Sequence, residues 1–232
     1  MEGVERFHAG DWPAVIEKMN QAIKEFEEEG DAYMLAAALG NLGSGYANTS
    51  RVDKALEAWD RSLGYYERLI NISWKPELGA QMANILIMKA SRIGNDPTRI
   101  KEAVELYDKA IEVLDRVIYQ DGDRSASESL KDACEFKGDL CLKSQPEIAA
   151  DAFTRAIRVT KKIENTARQI DPDEELGILY IKRAQANLLL NRDADASGDL
   201  DSGVSSLKSA SSRGVDVSRL MGIADKLRQQ IR

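Results

Sequence analysis

Asp193, Asp195, Ser197, Asp199 and Asp201 place oxygen-bearing side chains at alternate positions of the stretch RDADASGDLDSGV, residues 192–204. Hard oxygen ligands at that spacing, with Gly198 where the chain would turn sharply, are the pattern that wraps a calcium ion. Such a loop closes with a bidentate Glu at its twelfth position, and counting from Asp193 that position holds Val204. The strongest ligand is therefore missing. Whether these acids hold a cation or only face water depends on whether residues 196–204 are loop or helix.

Other chemistry is sparse. His8 is the single histidine, and Cys134 and Cys141 are seven residues apart, so no zinc set can be assembled. On a helix that spacing is about 10 Å along the axis, beyond disulfide reach, and two buried structural thiols are expected. His8 precedes Ala9 and Gly10 at an expected helix end, where a capping or exposed role suffices. No phosphate-cradling glycine loop, nucleophile elbow, HExxH or protein-kinase set is present. The expectation is a non-enzymatic chain with no cofactor and no metal.

The elements that would position any site follow from composition. The chain has 232 residues, 43% apolar and 31% charged, rich in good helix formers and holding only five prolines. No run approaches the roughly 20 apolar residues of a membrane span. The N-terminal MEGVERFHAGDW lacks the apolar core of a signal peptide, so a cytoplasmic location is expected. A net charge of −7 argues against nucleic acid as a partner. Acids crowd the start, nine against three bases over residues 1–35, and EFEEEGD reads as a solvated helix face.

A repeat organises the chain. The clearest copy is LGNLGSGYANTSRVDKALEAWDRSL, Leu39 to Leu63. Its second half recurs five times as a small or branched residue, a large apolar one four on, a small one three further, and an aliphatic next to it. The copies are Val15, Met19, Ala22, Ile23; Ala55, Trp59, Ser62, Leu63; Ala103, Tyr107, Ala110, Ile111; Ala149, Phe153, Ala156, Ile157; and Ala196, Leu200, Gly203, Val204. Each is one helical stripe, in which small residues let two helices approach and the large side chain fills the gap beside them. The fifth copy claims Leu200 and Val204, which places Ala196 to Val204 in a helix and removes the calcium loop. In the first halves, Ala133, Phe136 and Leu140 align in the fourth copy and Tyr180, Ala184 and Asn187 in the fifth, while the third, around Ala83 to Ala90, has lost its Gly and Tyr.

Leu39, Leu42, Gly43 and Tyr46, followed by Ala55 and Trp59, resemble the tetratricopeptide repeat (TPR) family closely, with Leu in place of its leading Trp. Successive second helices start 40, 48, 46 and 47 residues apart, which makes this a long-helix variant. Pro13, Pro76, Pro97, Pro146 and Pro172 each fall in the first turn of an expected helix, where a missing N–H is harmless. The partition is 12–29, 31–48, 51–72, 76–93, 97–119, 125–143, 146–170, 173–191 and 195–212, with a short helix before the first and an amphipathic capping helix at 216–232. The expected fold is all-α, one right-handed α-solenoid domain over 1–232 with repeats near 1–30, 31–72, 76–120, 125–170 and 173–212. The first copy begins partway through its first helix, as a module of something larger would.

The resemblance implies a protein-interaction module that holds a peptide or helix in a concave groove lined by the leading helices. Positions there not used for packing are Asn41, Ser44, Asn48, Asn84, Met88, Arg92, Lys131, Glu135, Lys182 and Gln185. Amides would grip an extended backbone, and Arg92, Lys131 and Lys182 would attract acidic groups on the ligand. The chaperone-tail clamp of the family is not carried over: Asn41 matches its second-repeat Asn, but the later Lys and Arg do not align. The long helices are also similar in style to soluble NSF attachment proteins and to peptide-responsive regulators, which would imply a disassembly adaptor or a sensor. A calcium-regulated protein using Asp193 to Asp201 is the remaining alternative.

Overall fold

The computed structural model describes residues 11–163 and 170–231. His8, the short helix expected before residue 12 and the end of the helix expected over 146–170 lie outside them. Among the described residues ten α-helices follow one another: α1 Trp12–Glu29, α2 Ala32–Asn48, α3 Val52–Ile72, α4 Pro76–Ile93, α5 Ile100–Asp115, α6 Ser127–Cys141, α7 Pro146–Thr160, α8 Pro172–Leu189, α9 Asp193–Ser212 and α10 Ser218–Arg228. No strand occurs among the described residues. Prolines open α1, α4, α7 and α8 within their first two positions, as their fixed φ and absent N–H require. Asp11, Asp31 and Asp171 cap α1, α2 and α8 by accepting first-turn N–H groups. Gly30 ends α1 in the left-handed conformation at φ 72°, which a side chain would resist.

The helices group into two compact units, Met1–Asp123 and Arg124–Arg232. The first contains α1 and the pairs α2–α3 and α4–α5; the second contains α6–α7, α8–α9 and α10. Within each pair the packing follows the repeat stripe. Gly43 on α2 meets the indole of Trp59 on α3, and Gly138 on α6 meets the ring of Phe153 on α7, so closely that a Cβ at either glycine would collide with the aromatic ring. Trp59 also donates its indole N–H to the Gly40 carbonyl at 3.2 Å, and Ser62 its hydroxyl to Ala36 at 2.8 Å. In the fifth copy Gly177 on α8 lies against Leu207 on α9, and Gly203 against Tyr180. All five small residues that open the stripes, from Val15 to Ala196, are buried. Cys134 and Cys141 are buried and form no disulfide, standing where Leu39 and Tyr46 stand in the second copy.

Three helix boundaries differ from the expected ones. The α-helix of Pro146 stops at Thr160, and Lys161–Ile163 form a turn. The buried stripe that begins at Ala149 ends at Thr160, and the next position four residues on is Glu164, which offers nothing to bury. The segment expected at 97–119 is three pieces: a 3₁₀ turn over Pro97–Arg99, α5, and a π-helical turn over Arg116–Gln120. That wider turn buries Val117 and Ile118 and lays the Arg116 guanidinium on the Trp74 ring, 3.6 Å from its centre, while Trp74 donates to Asp121 at 2.8 Å. Trp74 is thus a packing residue. A 3₁₀ turn over Arg124–Ala126 precedes α6.

Candidate functional site

Leading helices α2 and α4 run side by side in the first unit. Gly40 faces Ile85, and the Ser44 hydroxyl reaches the Met88 sulfur at 3.2 Å while also donating to the Gly40 carbonyl at 3.2 Å. These contacts take Ser44 into the seam. It is buried and fully engaged, a correction to its expected place on an open face; a short hydroxyl at this register lets the helices close over it. Asn41 and Asn48 are exposed, and Asn84, Met88 and Arg92 are half-buried. Asn48 uses its NH₂ on the Ser44 carbonyl at 2.9 Å, which leaves its amide oxygen outward. Asn41, Asn84 and the neighbouring Gln81 make no side-chain hydrogen bond to any described residue. Arg92 lies in the last turn of α4, where a cation complements the helix dipole.

The second unit builds the same face differently. Lys131 on α6 is buried, with Nζ 2.6 Å from Glu175 on α8 and 2.6 Å from Asp132. Burial opposes its charge, yet the bonds to Asp132 and Glu175 more than offset that, and its pKa is raised. Lys182 on α8 holds both Glu135 and Asp139 on α6, at 2.7 Å each, and its pKa is raised for the same reason. Asp139, in turn, is pushed up by burial against the pull of Lys182. Lys131 and Lys182 are therefore neutralised within the protein. The acidic ligand expected from them loses its attraction, because each ammonium already has two carboxylates. Gln185 is half-buried and makes no side-chain hydrogen bond to any described residue.

Composition could not reveal these ion pairs. A signal was present in the register: Lys131 and Glu175, 44 residues apart, and Lys182 and Glu135, 47 apart, lie one repeat length from each other, where parallel leading helices bring side chains together.

The acids of the opening motif are settled by helix α9. Asp193–Ser212 is continuous α-helix, so these residues cannot curl into a calcium loop. Asp199, buried, takes both Nε and Nη2 of Arg183 and accepts from Asn187 at 2.9 Å, and Arg183 reaches Thr154 on α7 at 3.0 Å. Asp201 pairs with Arg228 on α10 at 2.6 Å. Among the described residues no group of His, Cys, Asp or Glu could hold a metal, and no helix is long and apolar enough to cross a membrane.

Comparison with known proteins bears on the fold. No protein-family model matches the sequence, and no curated protein matches it. Among solved structures the chain is similar to BtubC (BKLC) from P. vanneervenii, at a TM-score of 0.67 and 18% identity, over 92% of this chain and 79% of that one. It is also similar to a candidate kinesin light chain from Podosopora anserina with nearly identical TPR-like repeats, at a TM-score of 0.60 and 13% identity, over 90% of this chain and 92% of that one. At such identities the likeness is one of fold: the chain has the all-α, TPR-like helical repeat architecture.

Proposed function

We propose that this chain is a non-catalytic interaction module that holds a segment of a partner protein against the outward faces of its leading helices, with no nucleic acid and no cofactor involved. The observation that carries the reading is that each unit has amides on its leading helices that packing does not use: exposed Asn41 and Asn48 and half-buried Asn84 in the first, half-buried Gln185 in the second. The TPR-like fold supports an interaction scaffold in general terms. A cytoplasmic location belongs to the same reading. No residue pattern favours a disassembly adaptor or a peptide sensor over a plain scaffold. Acidity of the partner drops out of the proposal, since Lys131 and Lys182 are spoken for internally.

Site-specific photo-crosslinking tests this. A benzoylphenylalanine at Asn41 or Gln185, on leading helices, should capture partner protein in cells. The same group on the outer face of a trailing helix, at Lys101 or Lys208, should not. Capture only from the trailing positions would reject the reading.

A further inference from the structure

Asp121 and Gly122 are the one Asp–Gly pair of the chain, which has no Asn–Gly pair. An aspartate can be attacked by the backbone nitrogen of the residue that follows it, and a residue without a Cβ leaves that approach unhindered. We infer that Asp121–Gly122 is a self-modifying site, which closes to a succinimide and reopens mainly as isoaspartate, and that the reaction unlatches Trp74 from the π-helical turn of Arg116–Gln120.

The structure supplies what the reaction needs. The nucleophile is available: Asp121 and Asp123 give their N–H groups to the carbonyls of Arg116 and Val117, at 3.0 Å each, while the N–H of Gly122 between them has no acceptor among the described residues. The backbone is free to rearrange, because Gly122 stands outside any helix at φ 80° with nothing near the position of a Cβ. Both residues are exposed, so water can leave and return. Asp201–Ser202, another aspartate followed by a small residue, is held back on the first two counts. Ser202 lies inside α9 with its N–H in the helix ladder, and the Asp201 carboxylate is paired with Arg228 at 2.6 Å.

In the first step the Gly122 nitrogen loses its proton and bonds to Cγ of Asp121, and the bond from Cγ to its hydroxyl oxygen breaks, so that one water departs. In the second step water adds to the former main-chain carbonyl carbon of Asp121 and breaks that carbon's bond to nitrogen. Cβ and Cγ then lie in the main chain, and a carboxylate sits directly on Cα. No oxidant, reductant or cofactor takes part. The carboxylate that is displaced is the one that holds Trp74. Its Oδ2 accepts the indole N–H at 2.8 Å, while Arg116 covers the ring 3.6 Å from its centre. Both sides of this grip come from one turn. Lengthening the main chain at residue 121 and shortening its side group therefore withdraws the acceptor from the indole.

The test is to incubate the full chain at physiological temperature and pH in heavy-oxygen water, digest it with trypsin in ordinary water, and resolve the peptides by liquid chromatography and mass spectrometry. An oxygen-labelled isomer of the peptide of residues 117–124, with the retention of a synthetic isoaspartate standard, should accumulate with time. The peptide of residues 193–208 should keep Asp201 unlabelled. Asp121→Glu, which would have to close a larger ring, should slow the reaction about tenfold, and Asp121→Asn, which expels ammonia in place of water, should speed it about tenfold. Tryptophan emission should shift to the red in step with the isomer. Trp74→Phe should remove that shift while the isomer still forms, and circular dichroism melting of each variant shows whether it is folded. Isoaspartate no more abundant at residue 121 than at residue 201 would overturn the site. Isoaspartate at residue 121 without the emission shift would overturn the unlatching.

Discussion

The two units share one way of joining the helices within a pair and use opposite ways of joining one repeat to the next. Within pairs, Trp59 on Gly43 and Phe153 on Gly138 are the same device: a ring laid on a glycine backbone. Across leading helices the first unit closes Gly40 on Ile85 and Ser44 on Met88, with small and apolar groups, while the second closes with ion pairs. The contrast sharpens at one register. Leu42, Tyr46 and Ala58 in the second repeat pack into an apolar cluster with Ile16 and Leu39. Their counterparts in the fifth repeat are Arg183, Asn187 and Asp199, a hydrogen-bonded polar triad at the same three positions. A repeat backbone tolerates either solution provided every polar group is satisfied. The difference is thus one of seam chemistry: small and apolar groups close the first unit's leading helices, and ion pairs close the second's.

The largest expected effect tests the shared half of that comparison. Trp59→Ala and Phe153→Ala each remove a fully buried ring from a seam whose glycine cannot fill the gap, at a cost of about 3–5 kcal/mol. Chemical denaturation with tryptophan fluorescence for the second variant and far-ultraviolet dichroism for both would measure it. Equal losses would show the two seams to be energetically equivalent. A Phe153→Ala midpoint close to that of the parent would break the equivalence and imply that the ion pairs carry the second unit.

A slightly smaller and more informative effect belongs to the triad. Asp199→Ala leaves the Arg183 guanidinium without its carboxylate and the Asn187 amide without its acceptor, and should destabilise by about 3 kcal/mol. Importing the second repeat's solution whole, as Arg183→Leu with Asn187→Tyr and Asp199→Ala, should restore stability to within about 2 kcal/mol of the parent, because burying a matched apolar set replaces a desolvated ion pair. Urea melts of the single and triple variants decide. A triple variant no better than Asp199→Ala would mean that the two registers are not structurally interchangeable.

Much of this was legible in the residues, and the gaps have physical causes. The repeat stripe and the prolines located most of the described helices, because small-large-small spacing and a missing N–H are local constraints. Helix α7 ends at Thr160, short of the expected end, although nothing in TKKI forbids helix. The π turn at Arg116–Gln120 was invisible since it answers to Trp74, more than 40 residues away. Gly138 carried a signal that was passed over: aligned with Gly43, it places Cys134 and Cys141 at the register of Leu39 and Tyr46 and identifies both thiols as core. The site was the least legible part. Asn41 and Asn48 are exposed and Asn84 is half-buried, but Lys131 and Lys182 looked like ligand-binding bases, for the identity of a lysine says nothing of the carboxylate one repeat away.

The smallest effect concerns acid. Asp171, the cap of α8, accepts from the Arg213 guanidinium on the α9 end at 2.8 Å and from the first-turn N–H of Asp173 at 2.9 Å. The bond from Arg213 is the main cause that draws its pKa down to about 2. The native carboxyl therefore holds a proton less tightly than the unfolded one, whose value is about 3.9. Its stabilisation is fully present above that unfolded value and is lost as pH falls from there toward about 2, so stability rises with pH across that window. In the first unit Asp96, which caps the 3₁₀ turn before α5, is drawn down by Thr98 two residues on, a contact that does not depend on any distant side chain. Arg213→Ala should accordingly reduce the stability lost between about pH 5 and pH 2.5, whereas the carboxylates common to parent and variant cancel in the difference. The change should be small, because Arg213 is half-exposed and water screens the pair. Urea midpoints at the two pH values, parent against variant, measure it. An identical acid loss in both proteins would show that the N–H groups of Asp173 and Glu174 alone hold the carboxylate, and the long-range ionic anchoring of the second unit would then not extend to its α8 cap.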